Sequence, residues 1–184
     1  MLKKSREKRQ LKLNKLLKIN PAITDKELAE KLKVSVSTVR LDRSLMGVPE
    51  FRERLKDMAE EAKKKLISLG HDELTGELLE LEPDKWALSA LKTVREMAFK
   101  LTDIVWDHYI YSQASSIAVA AVKSAVAIIA SMRGEYKDHA HVGEVLLARA
   151  KVGTSHDSKK IVSVRTIAGD REIFVGRFII EVLE

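Results

Sequence analysis

The chain has 184 residues, 45% of them hydrophobic and 5% aromatic, and a net charge of +6. This length suffices for one domain, or for a small domain joined to a medium one, each with a buried core. The absence of cysteine excludes disulfides and thiolate metal sites, and the five histidines lack the spacing of metal ligands, so we expect neither metal nor cofactor. Without a run of about 18 apolar residues or a signal-peptide core, we expect a soluble cytoplasmic protein with no membrane partner.

The positive charge is concentrated near the start of the chain. Residues 1–46 contain 13 basic and 5 acidic side chains, a net charge of +8, whereas residues 47–184 sum to −2. A basic segment attracts polyanions, because neutralising phosphates releases condensed counterions. We therefore expect a nucleic-acid partner for the first quarter of the chain; lysines on a solvated helix surface are the alternative.

Three helices are predicted in this basic quarter. Leucines at the i, i+3, i+4 spacing predict the first over residues 5–19. Thr24 is a good N-cap for the second, since Glu27 follows at the spacing of a capping box. Ser35 is predicted to cap the third, which runs to about Met46. Two short helices joined by a tight turn, behind a packing helix, predict a helix-turn-helix whose last helix enters the major groove of DNA.

One face of the third helix is the candidate reading surface. At 100° per residue, Ser37, Arg40 and Ser44 form a stripe with Arg43 beside it, and arginine can bond guanine O6 and N7 together. The hydroxyls at the helix start can bond phosphates. The candidate DNA-binding residues are Ser35, Ser37, Thr38, Arg40, Arg43 and Ser44, together with Lys3, Lys4 and Arg6 near the start of the chain. A three-helix bundle whose arginines only face solvent is the alternative.

A fourth amphipathic helix is predicted from Pro49 to about Leu69, with an apolar residue every three or four positions. Leu41 and Leu45 lie on the side of the third helix away from its own core, so this side needs a partner, which we expect to be the fourth helix. The fourth helix would then couple a DNA reader to the rest of the chain. A rigid spacer is the alternative.

The remaining sequence predicts an α+β domain. Residues 101–122 form a helix with little polar surface, which belongs in a protein interior. The predicted strands are residues 77–94, as two segments or one bent strand, Ala125 to Met132, Val145 to Val152, Lys160 to Ile167 and Ile173 to Leu183. We expect five or so antiparallel strands to bury the helix. The predicted domains are 1–46, a 47–70 linker helix, and 71–184.

Two resemblances follow from these segments. "LAEKLKVSVSTVRLDR" resembles the signature of DeoR-type winged-helix repressors, and a long helix wrapped by a sheet resembles the hot-dog fold. Together with "REKRQ", "VPEFRERLK", "GELLELE" and "SQASSIAVA", they resemble the FapR family of bacterial repressors over nearly the whole chain. The resemblance implies a homodimer that binds operator DNA of fatty-acid and phospholipid synthesis genes, and a hot-dog domain that binds malonyl-CoA and thereby releases the DNA.

The chain departs from this family in the implied ligand site. Family members carry an arginine-glycine pair early in the central helix, where the arginine holds the malonyl carboxylate, and an asparagine further on. Here these places hold Trp106, Asp107 and Ser115. A like charge at about 4 Å opposes binding by roughly 4 kcal/mol at an effective dielectric constant near 20. Either Asp107 points away, or the effector is another acyl-CoA, or Trp106 fills the pocket and no effector binds.

The residues that the resemblance assigns to the effector site are Phe99, Trp106, His108 and Ser115. A hot-dog thioesterase or dehydratase, using His108 or Asp107 for proton transfer, is the enzymatic alternative. Adjacent residues on a helix point about 100° apart and do not share a face. We therefore expect a repressor and not an enzyme.

Overall fold

The computed structural model describes residues 2–183, with side chains for residues 6–70 and 72–183. The chain divides into two compact units, Met1–Asp57 and Met58–Glu184. The described residues form five α-helices: α1 (Leu2–Ile19), α2 (Asp25–Leu32), α3 (Val36–Leu45), α4 (Phe51–Lys63) and α5 (Asp107–Ala120). Within the described residues, none of these helices is long and apolar enough to cross a membrane.

The first unit is a small helical bundle. Leu13 and Leu17 of α1, Leu28 of α2 and Val39 of α3 are buried together in one apolar cluster. The predicted capping box is confirmed: the Thr24 hydroxyl accepts from the Glu27 backbone N–H at 3.3 Å, and the Glu27 carboxylate accepts from the Thr24 N–H at 2.7 Å. The tight turn between α2 and α3 therefore starts from a well-defined helix.

The first unit has the helix-turn-helix without a wing. No strand forms among residues 2–57, because only five residues, 46–50, separate α3 from α4 and leave no length for a hairpin. The left-handed Gly47, with φ of 66°, makes this short reversal possible. The predicted helix-turn-helix is confirmed, and the winged form is not what this sequence folds into.

The fourth helix is shorter than predicted. It ends at Lys63, whereas the apolar spacing continues to Leu69. Leu66 and Leu69 instead pack against the core of the second unit, and the Ser68 hydroxyl donates to the Val119 carbonyl at 3.0 Å. These tertiary contacts replace the last turns of the predicted helix.

The second unit is built on one six-stranded antiparallel sheet, in the order β1-β2-β4-β5-β6-β3. Its strands are β1 (Glu77–Glu82), β2 (Trp86–Lys92), β3 (Val126–Tyr136), β4 (Val145–His156), β5 (Lys159–Ala168) and β6 (Arg171–Leu183). The segment 77–94 thus forms two strands, the first of the two predicted possibilities. β4 and β5 run further than predicted, because a tight turn with Asp157 at φ 53° lets the strands pair up to their ends.

The helix α5 lies on one face of this sheet, and the two together form the hydrophobic core of the second unit. Ile110, Ala114 and Ile117 of α5 are buried among Leu146 of β4 and Phe178 of β6. The predicted α+β arrangement of a central helix wrapped by an antiparallel sheet is confirmed. The helix begins at Asp107 and not at residue 101, because residues 98–105 form short bridges instead.

Candidate DNA-binding surface and effector site

The start of α3 is a cluster of hydroxyl groups. The Ser35 hydroxyl accepts from the Thr38 N–H at 3.2 Å, as predicted for an N-cap, and lies 2.8 Å from the Ser37 hydroxyl and 2.9 Å from the Thr38 hydroxyl. Ser35 and Ser37 are exposed and Thr38 is half-buried. Polar hydrogens at the positive end of a helix are suited to phosphate oxygens.

The solvent-facing side of α3 holds the predicted stripe and one more residue. Ser37, Arg40 and Ser44 are all exposed, and the Arg40 side chain is 69% exposed. Leu41 lies 40° from Ser37 on the helical wheel, on the side away from Ser44, and is 59% exposed. We call Ser37, Arg40, Leu41 and Ser44 the reading face. The sequence-based prediction that Leu41 packs against α4 is wrong for the described structure, although its position beside Ser37 on the helical wheel was available from the sequence.

Arg43 does not share this surface. Its side chain is 5% exposed, and its guanidinium donates to both Asp25 oxygens at 2.7 and 2.8 Å and to the Val48 and Pro49 carbonyls. With its donors engaged inside the unit, Arg43 ties α3 to α2 and to the turn that follows. Its predicted place beside the DNA reader is therefore corrected to a structural one. Burial lowers the pKa of Arg54 nearby, and the charge of Arg43 acts in the same direction.

A second ion pair ties α3 to α1. The buried Asp42 accepts from Arg9 at 2.5 and 3.2 Å and from Gln10 at 3.3 Å. The hydrogen bond with Asp42 raises the pKa of Arg9. Sequence reasoning did not single out Asp25 or Asp42, yet together they fix the orientation of the reading face.

The basic residues predicted to bind DNA near the start of the chain are placed only in part. Arg6 is exposed on α1. The side chains of Lys3 and Lys4 lie outside the described residues, and their roles stay predictions.

The second unit gathers aromatic side chains just before α5. The rings of Phe99 and Trp106 are stacked, with centroids 4.4 Å apart and planes 13° apart, and the His108 ring meets Trp106 edge-on at 5.5 Å. Phe99, Trp106 and His108 are all exposed. Three of the four residues predicted for the effector site are thus brought together; we call them the aromatic cluster.

The carboxylate at this site belongs to Asp107 in the first turn of α5, where the positive end of the helix dipole stabilises it. Tyr136 at the end of β3 donates to the Asp107 backbone carbonyl at 3.3 Å. Burial raises the pKa of Tyr136, and the Asp107 charge raises it further. The surface at the start of α5 therefore carries exposed aromatic rings and the Asp107 carboxylate.

Ser115, the fourth predicted residue, lies two turns along α5 from His108. Seven residues bring both to the same side of the helix, with Tyr111 and Ser112 between them. All four are exposed or half-buried, although seven of the 14 residues of α5 are buried. The Ser115 hydroxyl donates to the Ser112 carbonyl at 3.0 Å. This incompletely covered side of α5 was not foreseen from the apolar pattern of residues 101–122.

The fold of the second unit recurs among solved structures. The chain is similar to Cj0977, a sigma28-regulated virulence protein from Campylobacter jejuni, with a TM-score of 0.64 and 20% identity over 70% of this chain and 92% of that one. The PaaI protein of E. coli, from the phenylacetic acid degradation operon, aligns with a TM-score of 0.57 and 12% identity over 62% of this chain and 83% of that one. These likenesses show a hot-dog fold.

Sequence relatives cover both units. Transcription factor FapR of Thermoanaerobacter sp. is 39% identical over 180 residues, 98% of this chain and 90% of the relative. FapR of Bacillus velezensis is 37% identical over 180 residues, 96% of each chain. No family model matches the sequence. The relatives span the helix-turn-helix and the hot-dog unit at well over 30% identity, and the chain therefore belongs to the FapR family of transcription factors.

Proposed function

We propose that this protein represses bacterial genes of fatty-acid and phospholipid synthesis by binding operator DNA through the reading face, and that an acyl-CoA-type ligand releases it. The observation that carries the proposal is the exposure of Arg40 on a helix held by two interhelical ion pairs. The two ion pairs fix the orientation of α3, so the Arg40 side chain projects from a defined position on the surface. Family membership supports the same function.

The chemistry of the reading face suits the major groove. Arg40 can donate two parallel hydrogen bonds to a guanine, and the apolar Leu41 can contact a thymine methyl group. Ser37 and the hydroxyl cluster at the start of α3 can bond the flanking phosphates. The remaining positive charge of residues 1–46 supplies a sequence-independent attraction to the duplex.

The test is operator binding by an Arg40→Ala variant of the full chain. We expect specific binding to weaken by about 1–3 kcal/mol, because one bidentate base contact is lost, while binding to random duplex changes little. Fluorescence anisotropy at fixed salt measures both. Arg52→Ala, which removes an exposed arginine from α4, is the matched control and should leave operator preference intact. Equal operator affinity in wild type and Arg40→Ala would refute the reading face.

A neutral acyl-CoA is the effector that the aromatic cluster supports best. The stacked Phe99 and Trp106 offer an apolar surface where the family resemblance implies a guanidinium. Asp107 adds a negative charge beside it, which opposes a free carboxylate such as that of malonyl-CoA. A short uncharged acyl chain needs no guanidinium partner and is not repelled by the Asp107 carboxylate.

Homodimerisation is supported by the edge of the sheet. β3 is an 11-residue strand at one end of the strand order, and its exposed side chains include Val126 and Ile128. A long apolar edge is a template for pairing with another strand. Two copies joined edge to edge about a two-fold axis would present two reading faces to a near-palindromic operator.

Release from DNA is then a population shift. A ligand that binds the DNA-incompetent arrangement of the dimer more tightly moves the equilibrium toward that arrangement. By thermodynamic reciprocity, operator DNA must weaken ligand binding by the same factor.

A further inference from the structure

The side of the sheet opposite α5 carries a concentration of positive charge. Side chains alternate between the two faces of each strand, so the residues beside the buried Ala148, Ala150, Val162 and Val164 point away from the core. On β4, β5, β6 and β3 these outward positions include Arg133, Arg149, Lys151, Arg165 and Arg177. They line a shallow depression of about 590 Å³. We call these five residues the outer basic face.

The rest of this unit does not share this charge. Residues 58–184 contain 17 basic and 19 acidic side chains, a net charge of −2. In the lining of the depression, Glu135 is the acidic residue against five basic ones. Glu172 pairs with Arg165 at 2.7 Å and offsets one of the five. The asymmetry is therefore a property of one surface of an otherwise slightly acidic unit.

The strand register places like charges opposite each other. Arg133 on β3 is the cross-strand partner of Arg177 on β6, and Arg149 on β4 is the partner of Arg165 on β5. Like charges directly opposite on a sheet are destabilising. Within residues 2–183, no hydrogen bond or ion pair of the described side chains engages Arg133, Lys151 or Arg177. An external anion would relieve this repulsion.

The dimensions favour an extended polyanion. Four strands about 4.8 Å apart spread these cations over about 14 Å, more than one phosphate group can contact. Duplex DNA carries one negative charge per about 1.7 Å of its axis and can meet several of them at once. The lining contributes apolar side chains from Val164, which is buried, and Val175, which is half-buried, so little of this surface could enter a lipid bilayer.

We infer that the outer basic face is a second, sequence-independent contact surface for the phosphate backbone of duplex DNA. It is separate from the aromatic cluster, which lies at the start of α5 on the other side of the sheet. The inference rests on the proposed function, since a chain already held on DNA by its reading face meets nearby phosphates at high effective concentration. Arg149 is held in place for this role by the Trp86 ring, 5.2 Å from its guanidinium carbon.

The experiment is the salt dependence of DNA binding by a Lys151→Gln/Arg177→Gln variant of the full chain. Loss of two phosphate contacts should lower the slope of log K against log salt by about 1.8 on a long random-sequence duplex. The matched control, Lys100→Gln/Lys123→Gln, removes two exposed charges of the same unit that lie outside the strands of the sheet, and it should keep the wild-type slope. A thermal melt should show the outer-face variant at least as stable as wild type, because Arg133 then faces no like charge.

Two outcomes would overturn the inference. One is equal slopes for both double variants. The other is unchanged DNA binding with loss of binding to phosphatidylcholine vesicles containing 30% phosphatidylserine, which would assign the face to a membrane surface. Failure of the proposed function looks different: wild type would then show no preference for any promoter, while the slopes on random duplex still test the outer basic face.

Discussion

Arg40 and Arg43 show how the same residue type, three positions apart on one helix, takes two unrelated roles. They are separated by 60° around α3, near the border between its exposed and buried sides. Asp25 decides the outcome, because its carboxylate lies on the α2 side and forms a bidentate pair with Arg43, whereas the Arg40 guanidinium stays 3.6 Å away and mostly in solvent. A helical wheel cannot show this, since Asp25 belongs to another helix.

The two arginines therefore differ in what their removal does to stability. Arg43→Ala should lower the free energy of unfolding of the first unit by about 3 kcal/mol, because Asp25 loses its bidentate partner and the Val48 carbonyl loses its guanidinium donor. Arg40→Ala should change it by less than about 0.5 kcal/mol, as expected for an exposed side chain. Urea denaturation followed by circular dichroism measures both. Similar losses in the two variants would contradict the division of roles.

Among the strands, β3 lies at an edge of the sheet and leaves backbone hydrogen-bonding groups unpaired on one side. It is paired with β6 on one side, and its other side is open along 11 residues of the described sheet. The strand was predicted to end at Met132. It continues to Tyr136 because Gly134 lies opposite Gly176, and the absence of side chains there leaves room for the Phe174 ring; a Cβ on Gly134 would come within 2.6 Å of that ring.

A charge on this edge tests the proposed dimer. Ile128→Lys should shift the protein to monomers, since a lysine on an edge strand opposes pairing with a second copy. Sedimentation velocity at micromolar concentration measures the change. Ile67→Lys replaces an isoleucine outside the sheet that is 52% exposed, against 45% for Ile128, and should leave the assembly as in wild type. If Ile128→Lys sediments like wild type, the dimer does not use this edge.

For the whole molecule, function depends on a ligand in the second unit changing the affinity of the first for DNA. Such coupling is a difference in binding free energy between two states, and its size is limited by how differently the ligand binds them. The identity of the ligand therefore has to be established by experiment. The aromatic cluster predicts that the ligand is a neutral acyl-CoA.

Replacing Trp106 and Asp107 should change which acyl-CoA the protein binds most tightly. Wild type should bind butyryl-CoA more tightly than malonyl-CoA in calorimetry. The Trp106→Arg/Asp107→Gly variant should gain about 10–100-fold in malonyl-CoA affinity, because a charge-assisted hydrogen bond contributes about 1.5–3 kcal/mol. Leu101→Arg adds an arginine to a fully exposed position nearby and should not produce this gain. Tighter malonyl-CoA binding by wild type would refute the neutral effector.

Local signals in the sequence determined the helix-turn-helix, the order of strands and central helix, and the concentration of charge in the first quarter. Capping, apolar period and net charge act over a few residues and are readable without a fold. Only the tertiary structure decided that Arg43 is buried, that α4 ends at Lys63, and that five cations from four strands meet on one outer face. Each of these depends on side chains far apart in sequence, which strand register and interhelical ion pairs bring together.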